Sequence, residues 1–229
     1  CFKSRIETVI TLFNTAYKVV GKKELSALFS ANPDKYYKVA LFVKVGFQRH
    51  KCIHCGKFFW ALVDRTLCPD HEVYGFLGNP PTSKRLDYID TWKEVEKFFG
   101  SNEHTIINRY PVVCRWRDDL YYTIASIVDF QRVVENKVFF ELPANPLVVP
   151  QMCVRFNDIE NVGLSGRHYT TFCMIGQTCD ADAEGGYWKD RCMDLDYQLL
   201  TKILGIDPKA ITFVEDVWMG AGAFGYSLE

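Results

Sequence analysis

The residue types and spacing that most directly suggest chemistry are three cysteines and a histidine. Cys52-Ile53-His54-Cys55 and Cys68-Pro69-Asp70-His71 form two ligand pairs separated by twelve residues, a spacing that lets two tight knuckles converge on one tetrahedral ion. Three thiolates and an imidazole suit Zn²⁺. The pattern predicts a closed, structural metal site on Cys52, Cys55, Cys68 and His71, with His54, Asp70 and Glu72 open as alternatives for the fourth ligand. Such an ion can supply on the order of 10 kcal/mol to a segment this small. The plainer reading is a set of free thiols beside a surface histidine.

A second constellation lies between Gln151 and Gly176, where two strand-like runs flank a polar, glycine-bearing loop. On the first run Cys153 and Arg155 share a face, and a guanidinium there can clamp a phosphate and a carboxylate by paired hydrogen bonds. On the second run, strand alternation puts His168, Phe172 and Met174 on one face and Tyr169, Cys173 and Ile175 on the other. A cation with flat and soft apolar groups suits a nucleoside triphosphate held against a sheet. An ordinary hairpin with a surface arginine has the same spacing.

Elements must hold these groups in place. At 229 residues, 48% hydrophobic and 15% aromatic, the chain can bury one sizeable core and a small satellite. Its formal net charge of -1 gives no overall basic field for nucleic acid, although Lys44, Arg49, His50, Lys51 and Lys57 form a local positive cluster. No apolar run approaches the roughly 18 residues of a membrane span. Nine cysteines, an odd and dispersed set, argue for a reducing cytoplasm over a disulfide framework. A chain that starts at Cys1 is expected to be trimmed or partial.

Residues 1–46 read as helical: an amphipathic helix over the first 17 residues, then Asn32-Pro33 at a helix start, with Tyr36, Val39, Ala40 and Val43 forming an apolar face. Residues 47–86 read as a zinc-binding ribbon of short strands and turns. Residues 87–229 read as a larger α+β region. Its helix is expected to open on a Thr91–Glu94 capping box and stop near Gly100, with a strand at 104–108 after it. Arg115 to Gln131 is ambiguous. The acidic run 180–186 looks mobile, Lys189 to Leu204 reads as an amphipathic helix, and Ile211 to Trp218 alternates as a strand before a glycine-rich tail.

The 151–176 run resembles motif 2 of class II aminoacyl-tRNA synthetases: Val154-Arg155 ends a strand, a loop follows, and His168-Tyr-Thr-Thr-Phe172 starts the next. The wording RFNDIENVGLSGRHYT, RWRDDLYYTIASIVDFQ, PANPLVVPQ, YWKD and ITFVEDVW is similar to the archaeal-type alanyl-tRNA synthetases, from about Asp34 to Glu229. The resemblance implies an antiparallel class II sheet flanked by helices, with the metal segment as a small insertion. It implies ATP with Mg²⁺, L-alanine and tRNA(Ala) as ligands in a cytoplasmic ligase.

By the same resemblance Arg155 would meet the α-phosphate and the alanine carboxylate, and Arg167 or His168 the outer phosphates. Phe172 with Met174 would meet adenine, Asp158 would anchor the loop, and Trp218 would wall the alanine pocket beside a Gly220–Gly225 turn. Arg115, Arg117 and Asp118 belong to a block near the site. The family's Arg-x-Glu stands here as Arg155-Phe156-Asn157-Asp158, which puts an acidic contact to adenine in doubt. Motif 3, the main tRNA-recognition region and the editing domain have no counterpart in these residues, so a catalytically incomplete N-terminal piece of a longer enzyme is expected. The competing expectations are a non-catalytic zinc-ribbon module for nucleic acid or protein, and an ATP-dependent amidoligase on the same fold.

Overall fold

The computed structural model describes residues 21–72, 79–135, 137–166, 168–220 and 223–229; the helix expected over the first 17 residues lies outside them. The chain divides into two compact units, Cys1–Leu86 with Trp188–Glu229, and Asp87–Tyr187.

The first unit begins with α1 (Lys22–Ser30), α2 (Pro33–Tyr36) and α3 (Ala40–Val45). Pro33 opens α2, where its missing N–H leaves no helical bond unmade. The expected apolar face does not run through 36–43, because α2 ends at Tyr36 and the chain restarts at Ala40. The restart changes the phase: Leu41 and Phe42 are buried and Val43 is exposed. β1 (Gln48–Lys51), β2 (Phe58–Ala61), β8 (Thr212–Gly220) and β9 (Ala223–Leu228) form one sheet in the order β1-β2-β8-β9. Every pairing in it is antiparallel.

One face of that sheet places Trp60 and Phe213 against Val39, Leu41, Phe42 and Phe47. The other packs Phe59, Ala61 and Val214 with Cys52 and Cys68, so the metal segment shares a sheet with a strand far along the chain. β9 begins within the expected 220–225 turn and sets Gly225 opposite Trp218. α5 (Lys189–Gln198) passes into a π turn over Leu199–Ile203, which covers the span expected as one helix.

In the second unit α4 (Tyr88–Gly100) starts a turn earlier than the Thr91–Glu94 box. Asp87 caps it by accepting from the Asp90 N–H at 2.7 Å, a stronger N-cap than a threonine inside the helix. β3 (Thr105–Ile106) joins parallel to β6 (Leu147–Val154), which pairs antiparallel with β7 (Thr171–Thr178). β4 (Gln131–Val134) and β5 (Lys137–Phe140) form a separate hairpin. The ambiguous 115–131 stretch is irregular and ends in a 3₁₀ turn over Ser126–Phe130. A Cβ on Gly176 would lie 2.5 Å from that of Ser126, so glycine is what lets the turn lie on β7.

The side chain of Gln151 is fully buried and pairs like a backbone unit with Tyr110, accepting from its N–H at 2.8 Å and donating to its carbonyl at 3.1 Å. The acidic 180–186 loop is tied down: Asn145 donates to the carbonyls of Asp180 and Glu184 and accepts from the Asp180 N–H. The architecture is α+β with mainly antiparallel sheets. Among the described residues no helix is long and apolar enough to cross a membrane.

Candidate functional site

Cys52, Cys55, Cys68 and His71 come together in the first unit, with one ligand atom from each and all four atoms within 4.8 Å of one another. Two knuckles bring them there. Gly56, at φ 76°, donates to the Cys52 carbonyl, and the N–H groups of His71 and Glu72 donate to the Cys68 carbonyl. Cys55 and Cys68 sulfurs are 3.7 Å apart, and His71 Nδ1 stands 3.8 Å from Cys52 Sγ and 3.2 Å from Cys68 Sγ. Tetrahedral zinc at about 2.3 Å from sulfur and 2.0 Å from nitrogen separates its ligand atoms by roughly 3.5–3.8 Å; the Cys55–Cys68 and Cys52–His71 pairs match that spacing, His71 and Cys68 stand closer, and the donor types suit the ion.

The three alternative ligands have contacts of their own. His54 stacks on the His71 ring at 4.1 Å, Asp70 lies 3.9 Å from Lys57, and Glu72 pairs with Arg65 at 3.1 Å. Burial pushes the Cys68 thiol up to about 11. It would raise Cys52 as well, but backbone hydrogen bonds from Cys68, Cys55 and His54 hold that thiol down at about 6.

Arg155 directly follows β6 in the second unit. Its Nε donates to the Ile124 carbonyl at 2.8 Å, and its guanidinium carbon lies 5.0 Å from the centre of the Phe172 ring. Arg155 and Ile124 line an open groove of about 470 Å³ together with Tyr121, Tyr122 and Phe156 among others. A larger groove of about 680 Å³ is lined by Tyr88, Arg109 and Met152 among others. Arg109 gives that groove a cation of its own, whereas Arg155 lines the smaller one together with Asp119.

Phe172 and Met174 lie on β7, and the Met174 sulfur accepts from the Ser126 N–H at 3.3 Å. His168 does not share their strand face, because β7 starts only at Thr171. Its Nδ1 is 2.6 Å from Ser165 Oγ in the loop. Asp158 occupies the left-handed region at φ 53° and accepts through its carbonyl from Asn161, which fixes the loop's first turn. Arg167 lies outside the described residues.

Arg117 is buried and tied to Asp119 and Gln131, whereas Arg115 and Asp118 are exposed. Trp218 belongs to the first unit and is 36% exposed, beside a fully buried Val217. The positive cluster of the sequence is largely neutralised: Arg49 pairs with Glu215 at 2.7 Å, Lys57 with Asp216 at 3.1 Å and Lys44 with Asp194 at 3.6 Å.

The family model described as tRNA synthetases class II (A) matches residues 93–225, more than half of the chain. This chain belongs to the class II tRNA synthetases. It is 63% identical over 213 residues to an alanine–tRNA ligase of Nitrosopumilus maritimus (strain SCM1), covering 92% of this chain and 24% of that protein. It is 56% identical over 210 residues to one of Cenarchaeum symbiosum (strain A), with 91% and 23% covered. A Methanocella arvoryzae alanine–tRNA ligase is 41% identical over 213 residues, with 91% and 24% covered. The chain thus spans about a quarter of the length of these curated relatives.

Two features of this class II chain escaped the sequence reading. The Ile124 carbonyl that holds Arg155 is a backbone group, for which side-chain patterns give no signal. Glu215 is fully buried, accepting from Arg49 Nε and Nη2 at 2.7 Å each and from Trp60 Nε1 at 2.9 Å. Its signal was present as two acids inside the apolar run Ile211–Trp218, since a charge buried in a strand requires a partner.

Proposed function

We propose that this chain is the N-terminal catalytic part of an alanine–tRNA ligase, which activates alanine with ATP and transfers it to tRNA(Ala). The observation that carries the reading is Arg155 at the end of β6, held by the Ile124 carbonyl and set over Phe172, in a chain whose relatives bear that name. In the first step an alanine carboxylate oxygen attacks the α-phosphorus and pyrophosphate departs. In the second a terminal ribose hydroxyl of the tRNA attacks the alanyl carbonyl and AMP departs.

No protein nucleophile is needed; positioned cations stabilise the charge that develops at phosphorus. With Nε occupied by Ile124, Arg155 keeps its two terminal nitrogens for oxygens of the α-phosphate and the alanine carboxylate. Arg167 and His168 meet the outer phosphates, Phe172 and Met174 meet adenine, and Asp158 holds the loop. Trp218 walls the amino-acid pocket. Mg²⁺ arriving with ATP supplies further neutralisation at the phosphates. Zinc on Cys52, Cys55, Cys68 and His71 is structural, because a closed set of four protein ligands leaves no position for substrate. Free thiols dispersed through both units suit work in a reducing cytoplasm.

The test is Arg155→Ala in the full-length protein, read by alanine-dependent pyrophosphate exchange. Losing a contact that strengthens in the transition state costs about 3–4 kcal/mol, two to three powers of ten in rate. Near-normal exchange by a correctly folded variant would remove Arg155 from the site.

A further inference from the structure

β8 presents a row of side chains on one face. Strand alternation puts Val214, Asp216 and Trp218 on the same side, at intervals of roughly 7 Å. The first two meet the metal segment, Asp216 being shared between Lys57 of that segment and Lys22 of α1, at 3.1 and 3.2 Å. Val214 belongs to one buried cluster with Cys52, Cys68, Phe59 and Ala61, so two of the four metal-binding residues share a core with β8. Asp216 receives Lys57 Nζ at 3.1 Å, and Lys57 sits at the end of the first knuckle, where its carbonyl accepts from the Cys52 N–H at 2.9 Å. A further tie leads to the chain just before β8: Arg65, between the two knuckles, donates to the Lys209 carbonyl at 2.8 Å. Trp218 is the next residue in the row, and it is partly exposed.

We propose that the Cys52/Cys55/Cys68/His71 centre positions the amino-acid pocket: by fixing Val214 directly and Asp216 through Lys57, it sets the face of β8 that presents Trp218. Lys57 is a positioning residue in this arrangement. The inference rests on the reading of Trp218 as a wall of that pocket, and it extends the role of the metal from folding to substrate discrimination. The physical reason is local. Without the ion, buried thiols and an imidazole lose the partner that draws them together, and the two knuckles no longer present a fixed surface to the strand.

The experiment removes zinc from the full-length protein with a chelator, confirms the loss by elemental analysis, and makes two measurements. The first is amide hydrogen exchange over 212–220, with 171–178 on β7 as internal reference. The second is the apparent KM for alanine and for ATP in pyrophosphate exchange. Protection over 212–220 should fall while 171–178 changes little, and the alanine KM should rise about tenfold or more with the ATP KM shifted less than about twofold. Lys57→Met, which retains all four metal-binding side chains, should keep its zinc and show the same alanine-selective shift at smaller size.

Unchanged protection over 212–220 after verified zinc loss would overturn the proposal, as would equal rises in both KM values. Lost protection with an unaltered alanine KM would overturn it by a different route, showing that Trp218 lies outside the pocket. If the metal-free protein precipitates, Lys57→Met decides alone: an unaltered ratio of the two KM values sinks the proposal.

Discussion

Val217 and Trp218 are neighbours on β8 with opposite environments. Val217 is fully buried against Leu25, Phe29 and Tyr37, whereas Trp218 is 36% exposed. Truncating a core tryptophan costs about 3–5 kcal/mol. Trp218→Ala should cost well under that, because much of its indole is not in the core. It should instead raise the alanine KM far more than the ATP KM and relax discrimination against larger amino acids. A melting curve and exchange kinetics with alanine, serine and a larger aliphatic amino acid check both points. A large stability loss with unaltered preference would return Trp218 to a packing role.

Asp129 gives a second residue-level prediction. It is fully buried, and among the described residues neither carboxylate oxygen has a hydrogen-bond partner. Burial raises its carboxyl to about 7 against an opposing pull from Arg132. A folded-state pKa above the unfolded value of about 3.9 means that the folded state holds the proton more tightly. The contribution is complete below about pH 4 and is lost as pH rises through about 7, with a slope of at most about 1.4 kcal/mol per pH unit for one proton. Denaturant unfolding of the wild type from about pH 5 to 8 should show stability falling through this group, and Asp129→Asn should flatten that fall. An identical pH profile in the variant would contradict the assignment.

At the scale of elements, the two knuckles predict one zinc ion per chain in protein purified without added metal, measured by elemental analysis. Cys68→Ser should lose the ion and, with it, several kcal/mol of stability, on the order of half or more of what a structural zinc supplies. Zinc-free protein with an unchanged melting curve would count against the structural role. This element was the most legible in the sequence, because Cys-x-x-Cys and Cys-x-x-His leave few geometries open. α4 was legible in type but not in its first residue, since Asp87 outcompetes Thr91 as a cap and only the bond to Asp90 reveals it. The start of β7 was misread for a related reason: alternation in HYTTFCMIG continues on paper through His168, while Ser165 draws that ring into the loop. The sharing of one sheet by β2 and β8 was not legible, because that pairing joins Phe59 to Val214 across most of the chain, and local periodicity carries no information about such distant partners.

For the molecule as a whole, two compact units carry different parts of the proposed chemistry. Asp87–Tyr187 holds Arg155 and Phe172, and the discontinuous unit built from Cys1–Leu86 and Trp188–Glu229 holds the metal-binding residues and Trp218. A resemblance spanning both units is what connected them, since Arg155 and Trp218 belong to separate sequence blocks and no local pattern links the two. Both units belong to one chain whose relatives are about four times longer. The measurement that bears on this most directly is ATP–pyrophosphate exchange by the full-length protein, with each amino acid supplied in turn. Alanine should give the highest kcat/KM, with glycine and serine weaker by no more than about 1–3 kcal/mol, roughly 10–200-fold, because a small pocket rejects near-isosteres poorly. No exchange with alanine, or a clear preference for a large or charged amino acid, would contradict the account.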